Sequence, residues 1–193
     1  MSGRRETLLD AAIELLGTRG VRAVTHRGVD AEAGVPAGST SNLFRSRDAL
    51  LGAVVERFVE RERWNWERVA AAVDPRTRAE LAATLGAFAR EATGPQRVLT
   101  LARYALLVEG AQSPELRSPL AMGGARVNIY FETWLRRAGS TDPDRDLRIV
   151  ANMVTGRVLH DLAIPDPDFD PTIDIADLLE ALALLSATSA SHR

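Results

Sequence analysis

Apolar residues recur at helical period along almost the whole chain, and no run of alternating β-branched residues is long enough to form a strand. An all-α fold follows. Leu9, Ala12, Ile13 and Leu16 fall at i, i+3, i+4 and i+7, predicting a first helix from about Arg4 to Arg19 with Gly20 placed to stop it. Thr25 is then a fitting N-cap, with Val24 and Val29 spaced for a hydrophobic staple, and Gly34 ends the short helix that Thr25 begins. Pro36 suits the first turn of another short helix, where its missing N–H costs nothing, and Ser46 is placed to cap a third. From Ser46 to about Val73 the pattern is one long helix with Leu51, Val54, Val55, Phe58 and Val69 as its buried stripe. At about 1.5 Å per residue it spans roughly 40 Å. Breaks at Asp74-Pro75, Gly94-Pro95, Ser113-Pro114, Gly139 to Pro143 and residues 165–171 divide the remainder into about five helices, giving about nine in all.

Composition narrows the classes. With 46% hydrophobic and 26% charged residues, the 193-residue chain has enough apolar material for a real core and is not of the disordered kind. Cysteine is absent, which removes disulfides, thiolate metal sites and cysteine nucleophiles and fits a reducing cytoplasm. The opening MSGRRETLLD has no apolar core of a signal peptide, and no stretch approaches the length of a membrane span, so the expected location is cytoplasmic. A formal net charge of -2 means that any DNA binding must be local. All 24 basic residues are Arg, a bias that codon usage accounts for most simply, although guanidinium is also the better bidentate partner for phosphate and guanine.

Two short helices joined by a glycine-containing turn make a helix-turn-helix candidate. In that motif the second helix enters the major groove with its N-terminal residues against base edges, so small or polar side chains are required there. Ala37, Gly38, Ser39, Thr40, Ser41 and Asn42 satisfy the requirement, and Asn42 has the groups to pair with adenine in the bidentate manner. The same pattern also suits a polar surface turn between packed helices. Phosphate contacts are expected from Thr25, His26 and Arg27 at one helix N-terminus, and from Arg45 and Arg47 beyond the second helix. Through residue 47 there are seven Arg against five acids, a modest surplus that favours a dimer adding two footprints.

The segment from Arg4 to Phe58 resembles the DNA-binding module of the TetR family: a first helix closing at Gly20, a Thr-initiated helix ending in Ala33-Gly34-Val35, a short recognition helix, then Phe44, a basic residue at 47 and Leu50. There are departures. The family usually carries Tyr where Ser41 stands, an aromatic or His where Leu43 stands, Lys where Arg47 stands and Ala where Asp30 stands; Asp30 is expected to bond locally rather than to face phosphate. The resemblance implies a helix-turn-helix domain over residues 1–48 and a helical ligand-binding and dimerisation domain over 49–193, whose last two helices pair across a two-fold axis.

The residues allow that arrangement. Leu147, Val150, Val154, Val158 and Leu162 form one stripe, and Ile175, Leu178, Leu179, Leu182 and Leu185 form another; both suit a dimer seam and both also suit the interior of one chain. For a ligand cavity the large or polarisable candidates are Trp64, Phe88, Arg103, Tyr104 and Met122, together with Phe131, Trp134, Met153 and His160, each of which also fits ordinary core. Trp64 and Trp66 are two apart and project to opposite sides of a helix. No His, Asp or Glu spacing suits a metal, Glu60 and Glu62 lie on different faces, and no nucleophile-base set or phosphate loop points to an enzyme, so neither cofactor nor catalysis is expected. His192 is assigned no role. The expected function is a dimeric, ligand-responsive DNA-binding regulator, usually a repressor, acting on a quasi-palindromic operator and released by a small apolar effector. The alternative is a helical scaffold or small-molecule-binding protein without DNA activity.

Overall fold

The computed structural model describes residues 3–190, with side chains through residue 185; His192 lies outside the described residues. Among these the chain forms nine α-helices and one short 3₁₀ turn. They are α1 (Arg4–Arg19), α2 (His26–Glu32), α3 (Ser39–Leu43), α4 (Arg47–Ala72), α5 (Arg78–Thr93), α6 (Arg97–Gln112), α7 (Pro114–Arg137), α8 (Pro143–Ala163) and α9 (Thr172–Ala190). The 3₁₀ turn, Val21–Ala23, has no counterpart in the periodicity because three residues carry none.

Most boundaries stand where glycine, proline and hydroxyl side chains punctuate the sequence. Gly20 and Gly34 follow α1 and α2 with positive φ. Thr25 accepts a hydrogen bond from the Gly28 amide at 3.0 Å, and Ser46 accepts one from the Ala49 amide at 3.1 Å. Asp142 caps α8 with Pro143 in its first turn, and Thr77 with Glu80 closes a reciprocal capping box at the start of α5. One expectation fails: Pro36 does not open α3. Gly38 takes φ 91 and ψ -7, a left-handed conformation that no residue inside a right-handed helix adopts, so Pro36, Ala37 and Gly38 form a turn and the helix starts at Ser39.

The described residues gather into two compact units. The first runs to Asn65 and includes Gln96–Gly124. Its core joins Leu8, Leu9, Ile13 and Leu16 of α1 to Val24, Val29 and Phe44, to Leu50, Val54 and Phe58 of α4, and to Ala102 and Leu106 of α6. A guanidinium reinforces it: Arg57 on α4, 8% exposed, grips the Asp10 carboxylate of α1 with Nε and Nη2, both at 3.0 Å, and Glu60 with Nη1 at 2.9 Å. The Asp10 hydrogen bonds raise the Arg57 pKa above its ordinary value.

The second unit comprises Trp66–Pro95 and the chain from Ala125 onward. Leu81 and Leu85 of α5, Trp134 and Leu135 of α7, Leu147 and Val150 of α8, and Ile175, Leu179 and Leu182 of α9 form its centre. Arg78 to Glu180 at 2.7 Å and Arg90 to Asp170 at 2.5 Å flank the α5 and α9 contact at its two ends. No helix among the described residues is long and apolar enough to cross a membrane.

Close approach within the first unit depends on a missing side chain. A Cβ at Gly17 of α1 would run into the backbone carbonyl and a methyl of Val98 on α6, so the backbone itself would have to shift. Gly17→Ala is therefore expected to lower stability by about 1–3 kcal/mol through overpacking, read as a fall in the thermal or urea midpoint. An unchanged midpoint would show that α1 and α6 do not need this contact.

Candidate nucleic-acid interface

A single buried carboxylate builds the α2–α3 turn. Asp30, 3% exposed, accepts the Gly38 amide on Oδ2 at 2.8 Å and, on Oδ1, the Thr40 amide at 2.8 Å and the Thr40 hydroxyl at 2.6 Å. It therefore caps the N-terminus of α3 from eight residues upstream, and bonds locally as expected. Burial alone would push its pKa up. The Thr40 hydroxyl, the two amides and the nearby His26 outweigh that and hold it below the usual aspartate value.

Further clamps fix the same segment. Arg4 donates to the Ser39 hydroxyl at 2.8 Å, that hydroxyl donates to the Pro36 carbonyl at 2.5 Å, and the Arg5 guanidinium lies 5.6 Å from the Phe44 ring centroid. His26 Nε2 is 2.8 Å from the Phe44 carbonyl; since a carbonyl only accepts, Nε2 carries the proton and ties the start of α2 to the end of α3.

These bonds sort the residues expected at DNA. Ala37, Ser41 and Asn42 are exposed together, as are Thr25, Arg27 and Arg45, while His26 and Gly38 are half-buried. Thr40 has no exposed surface and Ser39 only 5%, so neither side chain meets a base in this conformation; both are supports, because Asp30, Arg4 and Pro36 take up their hydroxyls. Arg47 is exposed but turned toward its own protein, donating to the Val21 carbonyl at 3.2 Å and lying 4.0 Å from Glu109. The sequence reading passed over Arg4 and Arg5, whose partners lie some 35 to 40 residues away and leave no local signal.

The expected ligand residues are divided between the two units. In the first unit, Trp64 is 47% exposed with the Arg57 guanidinium 5.4 Å from its ring centroid, Arg103 pairs with Glu62 at 2.5 Å, Tyr104 is half-buried and Met122 is 58% exposed. In the second unit, Phe88, Phe131 and Trp134 meet Trp66 in an aromatic cluster, with Trp66 4.9 Å from Phe88 and 4.8 Å from Phe131. Met153 packs against that cluster's core, and His160 is exposed. Trp66, and not Trp64, belongs to this aromatic cluster. Its signal was available, since Trp66, Val69 and Val73 fall at i, i+3 and i+7 and all join the second core.

The two stripes assigned to a dimer seam are largely interior to one chain. Leu147, Val150, Val158, Leu162, Ile175, Leu179 and Leu182 are each at most 6% exposed, and all but Val158 and Leu162 join the core built with α5 and α7. Val154 and Leu178 are half-buried, and only Leu185, 59% exposed, is open. Exposed apolar side chains of α8 and α9 fall on other faces that the sequence analysis does not single out, with Ile149 and Leu159 on α8 and Ile173 and Leu184 on α9, and Gly156 has room for a side chain. Among the described residues no group of three or more His, Asp or Glu gathers to hold a metal.

Replacing Asp30 by Asn keeps the size but turns amide hydrogens toward at least one of its three donors. The expected cost is about 1–3 kcal/mol, measured by denaturant unfolding. Because the folded-state pKa is depressed, the carboxylate's contribution is present above the unfolded-state pKa and lost as pH falls through the folded one, below the ordinary aspartate range. A variant as stable as the parent, with the same acid limb, would remove Asp30 from its organising role.

Comparison with known proteins agrees with this architecture. Residues 8–54 match the family described as "Bacterial regulatory proteins, tetR family", and residues 76–185, over half of the chain, match "Tetracyclin repressor-like, C-terminal domain". The HTH-type transcriptional repressor KstR2 of Rhodococcus jostii (strain RHA1) is 37% identical over 59 residues, 31% of this chain and 29% of that relative, so the match spans under a third of its length. Among solved structures, the multidrug binding protein EbrR complexed with ethidium is 27% identical with a TM-score of 0.69, covering 94% of this chain and 99% of that one. A TetR-family member from Streptomyces coelicolor A3 is 29% identical with a TM-score of 0.67, covering 94% and 98%. The chain belongs to the TetR family of bacterial regulatory proteins.

Proposed function

We propose that this protein is a ligand-responsive transcriptional repressor that binds a quasi-palindromic operator as a homodimer and is released by a small, largely apolar effector. The observation that carries the reading is the small outward face of Ala37, Ser41 and Asn42, held in place by the Asp30 cap where the family match lies. Residues 1–48 are the DNA-reading segment in this account, and residues 49–193 hold the effector and the partner protomer. Base edges fall to Ala37, Gly38, Ser41 and Asn42, and phosphates to Thr25, His26, Arg27 and Arg45. The protein is read as a regulator and not as a catalyst, working in the cytoplasm beside the chromosome.

Effector binding is assigned to the second unit. Trp66, Phe88, Phe131 and Trp134 offer flat aromatic faces and edges, and the structurally similar EbrR was solved with ethidium and with proflavin. An effector acts by binding one spacing of the two reading heads better than another. A complete switch from 99:1 to 1:99 requires a differential affinity of about 10⁴-fold.

Selection of bound duplexes from random sequence by the full-length protein tests the reading. Two related half-sites about one helical turn, 34 to 36 Å, apart or a multiple of that are expected. Enrichment of no sequence at low ionic strength would end the regulator account.

Dimerisation is assigned to the exposed stripe of α8 and α9. Leu184→Asp and Leu159→Asp change side chains 69% and 46% exposed in a single chain, so the protomer fold should survive while the assembly fails. The expected result is a monomer by light scattering with native helix content and weakened operator binding. A variant that remains dimeric would move the seam elsewhere.

A further inference from the structure

The leading turn of α3 reaches a groove with almost no hydrogen-bonding side chain to offer. Pro36 and Ala37 are exposed and apolar, and Gly38 has no side chain. Ser39 and Thr40, the first polar residues, are buried with their hydroxyls given to Pro36 and Asp30. The amides of Gly38 and Thr40 end on Asp30, and that of Ser39 on the Pro36 carbonyl. Even the Ser41 hydroxyl donates back to the Gly38 carbonyl at 3.0 Å. What faces outward ahead of Ser41 is a pyrrolidine ring and a methyl group.

Major-groove edges present donors, acceptors and one apolar feature, the C5-methyl group of thymine. A turn whose exposed side chains are all hydrocarbon discriminates at the base edge through that feature. We propose that Pro36 and Ala37 read thymine by its 5-methyl group in each half-site, so that sequence preference under the leading turn comes from apolar contact and not from hydrogen bonds. The inference rests on the regulator reading and adds to it the chemistry being recognised. Rigidity makes it workable: one methyl contact is worth little unless both surfaces are already in place, and the Asp30 and Arg4 bonds hold the protein's side of it.

The test starts from duplexes selected by the full-length protein. Each thymine of a half-site is replaced in turn by uracil, which removes the methyl and leaves the base pair intact. An affinity loss of about four-fold per methyl read is expected, at one or two positions, and that loss should shrink or vanish in Ala37→Gly and Pro36→Ala proteins. Circular dichroism and binding to random duplex confirm that each variant is folded. Tolerance of uracil at every position overturns the proposal, as does a uracil penalty that both variants retain in full. Selection of no duplex overturns the regulator reading and this inference with it, whereas selection with uracil tolerance overturns only the methyl readout.

Discussion

The reading segment depends on one buried negative charge. An isolated carboxylate is expensive to bury, and a helix of five residues has almost no cooperativity of its own. Asp30 resolves both problems together: three short hydrogen bonds satisfy the charge, and the same three fix Gly38 in its left-handed conformation and start α3 at Ser39. His26 adds a second tie from α2 to the far end of α3. The segment is thus held at both ends by side chains of α2, and its small outward face needs no bulk of its own to keep its shape.

Helix boundaries were legible because they are set locally. A proline or glycine ends a helix through its own backbone, and a Ser or Thr caps through an amide three residues on, so Gly20, Thr25, Gly34, Ser46 and Pro143 could be read without knowing the rest of the chain. The start of α3 was not legible, because the local rule for Pro36 competed with a carboxylate that reaches Gly38 only once the turn has formed. The burial of Thr40 was hidden for the same reason. In the helical remainder, the spacing of Trp66, Val69 and Val73 is the local signal that marks Trp66 as the core-facing tryptophan.

Periodicity also says that a helix face is apolar without saying what covers it. α8 and α9 each carry apolar residues on two faces. One face of each, with Val150 and Leu179 at its centre, is closed by helices of its own chain; the other, with Leu159 and Leu184, is exposed. Both stripes suit a seam by sequence alone, and the burial of Val150 and Leu179 within one chain is what moves the proposed seam to the exposed faces. The more regular stripe lies in the core of a single chain, and the exposed one is the surface to which the proposal assigns the second copy.

The glycine contact between α1 and α6 carries a further implication. Part of the wall against which α1 closes is supplied by Ala102 and Leu106, more than eighty residues beyond its own end, so the packing of the N-terminal segment is completed from far along the chain. Severing it near residue 48 to graft onto another protein would strip α1 of that cover and expose an oily flank. Exchange of specificity among such chains is better done by transplanting the surface of the α2–α3 turn than by moving the segment whole.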